Sequence, residues 1–476
     1  MKLYARVTRD VDEGPKGSHI AALFDFDGTL IAGFSVFAFF REQLRRGEIS
    51  RAEVAKLAMT GAGYGLGNVG FSGLLLASAR LLQGMPESHL EEMGREVFNK
   101  RIAKVIYPEA RALVEAHKRA GHTVAIVSSA TRFQVQTAAD ELEIEHVLCS
   151  ELETENGHFT GNIVQPTCFG PGKVSAAEML AQQYDLDLDD SYFYSDSHDD
   201  LALLERVGRP RPLNPNNKLV EVAEDRGWPV RRFASRGRPR ASDVLRTLGA
   251  TGSMVPSFLA GLPIWALTGS RTEGQNFSMS MFADVASAFI GLNLAVTGEH
   301  HLWENRPAVF VFNHQSQADV VIMARLLRRD IAGVGKKEIA SVPVLGQIMQ
   351  MAGTVMIDRS DAHKAVESMR RLVDTITIEG KSVVIAPEGT RTVTTQLGPF
   401  KKGAFHLAMQ AGVPIVPIVI KNALDVSPKG DFLFHPATVG VEVLPPVDTS
   451  NWRAETIEEH VADVRRLFLQ TLGQAT

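Results

Sequence analysis

Cysteine is almost absent from this sequence: Cys149 and Cys168 are the only two among 476 residues, and they form neither a metal-ligand pattern nor a disulfide framework. That excludes a stapled secreted scaffold and suits a reducing compartment, with both thiols buried or incidental. An excess of one charge is also lacking. A formal net charge of −5 gives no global electrostatic case for nucleic acid, and no nucleic-acid partner is expected. The first residues, through Asp10, Asp12 and Glu13, lack the apolar core of a secretory signal, so the chain is expected on the cytoplasmic side. What is present is ordinary globular material, 45% hydrophobic and 22% charged. It is long enough for two or three domains.

In the first half, the apolar run Ile20-Ala21-Ala22-Leu23-Phe24 ends in Asp25-Phe26-Asp27-Gly28-Thr29-Leu30. Two carboxylates one residue apart, followed by glycine at the end of a buried strand, make a site for a hard cation. A second buried-strand candidate, Thr123-Val124-Ala125-Ile126-Val127, closes on Ser128, whose hydroxyl suits a phosphate oxygen. Lys173 follows Phe169-Gly170-Pro171-Gly172 and offers a cation for developing charge. Tyr192-Phe193-Tyr194 leads to Ser195-Asp196-Ser197-His198-Asp199-Asp200, and Leu213-Asn214-Pro215 comes next.

In this order the blocks resemble the motifs of the haloacid dehalogenase superfamily, across about residues 21–222. The resemblance implies a Rossmann-like α/β domain with a helical cap at about residues 31–106, acting on a phosphate monoester. Asp25 would be the nucleophile that forms an aspartyl-phosphate and Asp27 the general acid and base. Mg²⁺ would be held by Asp25, Asp196 and the main-chain carbonyl of Asp27, with Asp200 supporting the metal or Lys173. Ser128 and Lys173 would hold the transferring phosphoryl group. Two positions depart from the pattern. Ser195 stands where glycine is usual, and Ser129-Ala130 replaces the paired glycines of phosphoserine phosphatases, so phosphoserine is not the expected substrate. Glycines 61, 63, 65, 67, 70 and 73 crowd the middle of the cap, which points to close helix packing there or to contact with lipid.

The second half is organised around Asn313-His314-Gln315-Ser316-Gln317-Ala318-Asp319, between the apolar run Ala308-Val309-Phe310-Val311-Phe312 and the helix-like Val320-Val321-Ile322-Met323-Ala324. On one continuous helix His314 and Asp319 would stand roughly 140° apart, so to cooperate the histidine must sit in the loop and lean back. Ser316 lacks a nucleophile elbow and is not expected to attack anything. Downstream come Gly353-Thr354-Val355-Met356-Ile357-Asp358-Arg359, then Pro387-Glu388-Gly389-Thr390-Arg391, then Val413-Pro414-Ile415-Val416-Pro417.

Over about residues 302–447 these four blocks resemble the glycerolipid acyltransferases, most closely the bacterial 1-acylglycerol-3-phosphate acyltransferases. The resemblance implies His314 as the base that deprotonates an alcohol, with Asp319 fixing its tautomer. Arg359, Arg391 and Lys336 or Lys337 would hold the acceptor's phosphate, and Glu388, with Gly389 and Thr390, would bind the glycerol hydroxyl or orient Arg391. Lys401 and Lys402 either add to that patch or stay solvated. His300-His301 reads as a turn, and Ile457, Val461, Val464 and Phe468 as one apolar helix face.

Between the halves, Arg231, Arg232, Arg236, Arg238, Arg240 and Arg246 form a basic run, either a solvated linker or a patch for anionic headgroups. Residues 247–270 hold no charged side chain but are broken by glycine and proline. With the apolar stretch 285–296 they read as a pair of helices in one leaflet, with a soluble helical pair as the other reading.

The expected protein is therefore an α/β chain of three parts: residues 1–240, a phosphatase domain; 241–300, a basic linker and membrane-associating helices; 301–476, an acyltransferase domain. It would move a fatty acyl group from acyl-CoA or acyl carrier protein to a lysophospholipid acceptor, 1-acyl-sn-glycerol-3-phosphate, at the cytoplasmic membrane face. The alternative is transfer to another lysophospholipid with the first half as a non-catalytic docking or regulatory module. A homo-oligomer is left open.

Overall fold

The computed structural model describes residues 4–53, 55, 71–233, 235–237, 239–342, 344–357 and 362–475. They divide into two compact units, Lys2–Arg238 and Pro239–Thr476. The strands of the first are β1 Ile20–Phe24, β2 Thr123–Thr131, β3 His146–Ser150, β4 Leu152–Glu155, β5 His158–Ile163, β6 Asp187–Ser195 and β7 Arg209–Pro212. Five of them form a parallel sheet in the order β3-β2-β1-β6-β7, while β4 and β5 pair antiparallel with each other. Alternation along β1 explains why both faces are covered. Ile20, Ala22 and Phe24 join one apolar cluster with Leu113 and Val114; Ala21 and Leu23 join another with Leu180 and Leu203. The strand order reverses at β1, which opens a crevice beyond the carboxyl ends of β1 and β6.

The cap is discontinuous in sequence. Helices Ser35–Arg46, Phe71–Arg80 and Glu87–Val97 fall in the expected region, but the β4–β5 hairpin belongs with them. Its Phe159 amide donates to Met85 O at 3.0 Å, and its ring meets Phe133 edge to face. The hairpin escapes a sequence reading because Phe159 and Gly161 are its only buried residues. Glycines 61–70 lie outside the described residues, and Gly73 sits within helix Phe71–Arg80.

Against β6, the fully buried His117 places its Nδ1 2.7 Å from His122 Nδ1 and its Nε2 2.9 Å from the Tyr194 hydroxyl. His122 Nε2 donates to the Pro15 carbonyl at 2.9 Å. Its Nδ1 therefore accepts, His117 Nδ1 donates to it, and Tyr194 donates to His117 Nε2; one more proton would set two donors face to face. Burial holds both imidazoles below the usual histidine range, helped at His117 by His122 and Arg211 and at His122 by His19 and Arg209. The unfolded chain takes up protons below about pH 6.5 that the folded unit refuses, so the pair removes stability as the pH falls, by up to about 1.4 kcal/mol per pH unit per histidine. Asp25, Asp27 and Asp196, whose proton affinity is raised, act in the opposite sense. The histidine contribution is thus read as a difference. In His117→Gln/His122→Gln, the unfolding midpoint at pH 5 relative to that at pH 7 should therefore lie higher than in the wild type, as a smaller fall or a larger rise. The near-ultraviolet signal of the tyrosines, all six of which lie in this unit, reports it.

The second unit is one sheet of seven strands, β8 Leu292–Thr297, β9 Val309–Phe312, β10 Ile331–Lys336, β11 Val355–Ile357, β12 Ser382–Ile385, β13 Ile415–Ile420 and β14 Ala437–Val443. The order is β11-β10-β12-β9-β13-β14-β8, parallel except where β14 runs against β13. Central β9 is wholly buried, with Phe310 and Phe312 facing Ala286, Ile290 and Ile322, and Val309 and Val311 facing Phe405, Leu407 and Phe468. The terminal helix Ile457–Leu472 buries Ile457, Val461, Val464 and Phe468, as their spacing implied.

The stretch 285–296 is not a second membrane helix. It ends helix Arg271–Ile290, whose Ala286 and Ile290 are buried in the cluster around Phe310, turns at left-handed Gly291, and starts β8 against β14. Ala250 and Phe258 join the same cluster, so the segment 241–300 shares a core with the seven-stranded sheet instead of forming a separate linker. The basic run is partly structural too. Arg231 pairs with Asp10 at 2.9 Å, and Arg246 donates to the Phe289 and Ile290 carbonyls that end helix Arg271–Ile290.

Candidate active sites

Asp25 continues β1, its amide donating to Tyr194 O at 2.9 Å. Lys173, from the N-terminal turn of helix Pro171–Tyr184, places Nζ 2.7 Å from Asp25 Oδ1 and 2.8 Å from Asp200 Oδ2, all three side chains nearly out of solvent. Burial opposes the ammonium charge, but Asp200 and Asp25 carry its proton affinity above the usual lysine range. Ser195, which replaces the expected glycine, does not crowd the turn. Its hydroxyl donates to Asp200 Oδ2 at 2.6 Å and accepts from the Ser197 amide at 3.1 Å. The Asp27 carboxylate accepts from the Ser35 amide at 2.7 Å and hydroxyl at 3.1 Å; burial pushes it up to about 6, the Ser35 bonds limiting the rise. Burial, then the charges of Asp25 and Asp200, push Asp196 up to about 8. Ser128 is buried in β2 beside β1, accepting from the Ala130 amide at 3.2 Å.

The four expected metal residues separate by role. Asp200 bonds to Lys173 and Ser195, the second of the two roles expected for it, and the Asp27 carboxylate bonds to Ser35, which leaves its main-chain carbonyl as the expected ligand. The carboxylates of Asp25 and Asp196, with the Asp27 main-chain carbonyl, remain as an all-oxygen set. It suits a hard dication, which would offset the burial, and the lesser repulsion from neighbouring carboxylates, that raise both aspartates. Gly28, at φ +74°, is needed here, because a Cβ on it would lie 2.2 Å from Asp196 Oδ2. Sequence reasoning gave no role to Asn214, which donates to Gly28 O at 3.0 Å and accepts from the Phe233 amide at 2.6 Å. Among the described residues, the one trio of His, Asp or Glu with ligand atoms within 4.8 Å of one another is His300, His301 and Glu304, at the turn Glu299–Leu302.

In the second unit, His314 sits in the loop after β9 and Asp319 opens helix Asp319–Leu327. His314 Nδ1 donates to Asp319 Oδ2 at 2.8 Å, and the same oxygen accepts the Gln315 and Ser316 amides at 2.9 Å each. Asp319 is fully buried, whereas the His314 side chain keeps 26% of its surface exposed. The imidazole is thereby fixed as the Nδ1–H tautomer with a basic Nε2. Ser316 Oγ donates to Ser427 O at 2.7 Å and is buried, which leaves it no nucleophilic part.

Glu388 Oε1 accepts the His314 amide at 2.7 Å, which ties the loop after β12 to the histidine's own backbone, and its Oε2 accepts the Gly398 amide of that loop at 2.9 Å. Burial raises Glu388, against those two amides and the His314 charge. Gly398 must be glycine for this approach, since a Cβ would lie 2.7 Å from Glu388 Oε2. Glu388→Gln should therefore leave one amide facing a donor and cost about 2 kcal/mol of stability, measurable by urea unfolding.

Arg391 precedes Thr392, whose amide donates to His314 O at 2.9 Å, so the arginine is carried to the histidine's loop. Lys429, which sequence reasoning missed, donates to Arg391 O at 2.7 Å. Its only signal was a polar run after the Val413-Pro414 block. Asn313, buried, exchanges two hydrogen bonds with Ile420 at 2.7 and 2.8 Å and pins β9 to β13. Gly389 turns at φ +72° and Thr390 is exposed. Lys336 and Lys337 are exposed where β10 ends, two strands from β9 on the same edge of the sheet. Arg359 lies outside the described residues.

The two folds and sites define a chain of two enzymatic units, a hydrolase-type α/β domain followed by an acyltransferase-type one. The description "haloacid dehalogenase-like hydrolase" matches residues 22–205 and "Acyltransferase" matches residues 293–421. Over 234 residues the chain is 33% identical to the 1-acyl-sn-glycerol-3-phosphate acyltransferase of Saccharomyces cerevisiae, covering 48% of this chain and 76% of the yeast protein. Over 182 residues it is 34% identical to the protein of the same name from Limnanthes alba, covering 38% and 64%. It is also similar to the solved 1-acyl-sn-glycerophosphate (LPA) acyltransferase PlsC of Thermotoga maritima, at 21% identity and TM-score 0.41, over 48% of this chain and 96% of that one. The chain belongs to the 1-acyl-sn-glycerol-3-phosphate acyltransferase family and carries a haloacid dehalogenase-like hydrolase domain ahead of the acyltransferase domain.

Proposed function

We propose that the second unit transfers a fatty acyl group from acyl-CoA or acyl carrier protein to the free hydroxyl of 1-acyl-sn-glycerol-3-phosphate, forming phosphatidate. The observation that carries this reading is the His314–Asp319 pair, with a buried carboxylate behind the imidazole and Nε2 left for the acceptor. His314 Nε2 takes the hydroxyl proton as the oxygen attacks the thioester carbonyl. The C–S bond then breaks, and the proton passes to the departing thiolate. Asp319 stabilises the imidazolium in between, while Arg391 and Lys429 supply positive charge for the acceptor's phosphate. Phosphatidate formation from the two substrates tests the reading; a protein that acylates no lysophospholipid would overturn it.

The first unit is read as a Mg²⁺-dependent phosphomonoesterase. Mg²⁺, held by Asp25, Asp196 and the Asp27 carbonyl, would supply charge neutralisation for a dianionic substrate. Asp25 is the nucleophile, Asp27 gives the leaving oxygen its proton, and Lys173 holds the phosphoryl oxygens. The membrane surface is the natural partner of the second unit. Leu245, Leu248, Leu259, Leu262, Trp265 and Leu267 are all exposed within the apolar span Ala241–Thr268, which supports a helical stretch resting on the cytoplasmic leaflet.

A further inference from the structure

From Leu30 to Phe40 the chain reads Leu-Ile-Ala-Gly-Phe-Ser-Val-Phe-Ala-Phe-Phe, without one ionisable side chain. This is the stretch that leaves the Asp27 loop and enters the first cap helix, Ser35–Arg46. Ser35 is anchored there, only 1% exposed, with its amide and hydroxyl both on the Asp27 carboxylate. Phe34 precedes it directly, so an aromatic residue adjoins the serine that binds the group that protonates the leaving oxygen. Phe34 is 57% exposed and Phe37 67%, and their rings meet edge to face with centroids 6.1 Å apart. Phe39, on the same helix, is buried and faces the core. Phe34 and Phe37 thus differ from Phe39 in leaving much of their rings open. Across the lip, Gln134 Nε2 donates to Ser35 Oγ at 3.3 Å, another uncharged group.

An amino-acid phosphate would need charged partners for its ammonium and carboxylate, whereas the described groups around Ser35 are an amide, a hydroxyl and two aromatic rings. We propose that the phosphatase unit acts on the phosphomonoester of a glycerolipid, with Phe34 and Phe37 holding the acyl-bearing part as the phosphate reaches Asp25. This rests on the phosphatase reading above. The choice of a glycerolipid among apolar phosphates comes from the acyltransferase unit on the same chain. An Asp25 oxygen attacks phosphorus, the bond from phosphorus to the glycerol oxygen breaks, and that oxygen takes the Asp27 proton. Water then attacks the aspartyl-phosphate, returns a proton to Asp27 and releases inorganic phosphate. The lipid leaves as an alcohol.

The test is phosphate release by the full chain, with Mg²⁺ and no acyl donor, from four substrates: micellar 1-acyl-sn-glycerol-3-phosphate, glycerol 3-phosphate, phosphoserine and p-nitrophenyl phosphate. The acylated substrate should exceed glycerol 3-phosphate by about a hundredfold in kcat/KM, a difference that a buried acyl chain can supply. Phe34→Ala should lower that ratio about tenfold, mainly through KM. Phe37→Gln, which alters a side chain mostly in water and does not threaten folding, should lower it in the same direction. Equal turnover of acylated and bare phosphates, a preference for phosphoserine, or an unchanged ratio in both variants overturns the inference. Hydrolysis of p-nitrophenyl phosphate alone overturns it while leaving the phosphatase reading intact. Release from none of the four overturns both.

Discussion

His314→Ala is expected to lower phosphatidate formation by about three orders of magnitude, the scale on which a positioned general base contributes. The loss should appear in kcat, because Nε2 acts on the reacting proton and not on the phosphate that anchors the acceptor. Asp319→Asn keeps the shape of the pair and removes the charge, and it should cost about a hundredfold or more. The change also disturbs the loop, since the same Asp319 oxygen accepts the Gln315 and Ser316 amides. Phosphate release from an aryl phosphate by the first unit should be unaffected in both, which confines the effect to the second unit, and an unchanged urea unfolding transition of His314→Ala serves as the control for folding. Phosphatidate made at the wild-type rate by His314→Ala would remove the proposed base.

The second large effect is predicted for Asp25. A carboxamide cannot attack phosphorus, so Asp25→Asn should reduce Mg²⁺-dependent aryl phosphate hydrolysis by about four orders of magnitude, as when a covalent nucleophile is removed. Stability should move the other way or not at all. Burial raises the pKa of Asp25 despite Lys173, so its charge is a burden to the fold, and Lys173 keeps Asp200 at 2.8 Å when Asp25 is neutral. Lys173→Met should behave oppositely. It leaves two buried carboxylates without their cation and should cost about 3–5 kcal/mol. The loss should shrink as the pH falls, because Asp25, whose folded-state pKa is raised by burial, binds its proton more tightly folded than unfolded. Urea unfolding of the two variants at pH 7 and pH 5 distinguishes them. Equal destabilisation by both would contradict the shared-ammonium arrangement.

Much of this was legible in sequence because strand-end motifs are local. A fully apolar run such as residues 20–24 or 308–312 signals a strand covered on both faces, and the polar residues directly after it mark a carboxyl-terminal edge. Asp25, Asp27, His314 and Asp319 follow from that rule together with family likeness. Residues 285–296 defeated it, since a helix end and an edge strand of similar apolarity look alike until β14 supplies a partner. Glu388 was found, but its bonds to the His314 and Gly398 amides were not, because those amides are brought to it by the fold.

The sequence by itself determined the two α/β units, their order and the residue types at the ends of their strands, because strand periodicity and short motifs need only neighbouring residues. Tertiary structure alone decided that Asp200 serves Lys173, that Ser195 is an orienting hydroxyl, that Lys429 joins Arg391, and that Phe34 and Phe37 stay exposed while Ser35 between them holds Asp27. Hydrogen bonds and burial between segments far apart in the chain are set by packing, and packing is not written in any local pattern.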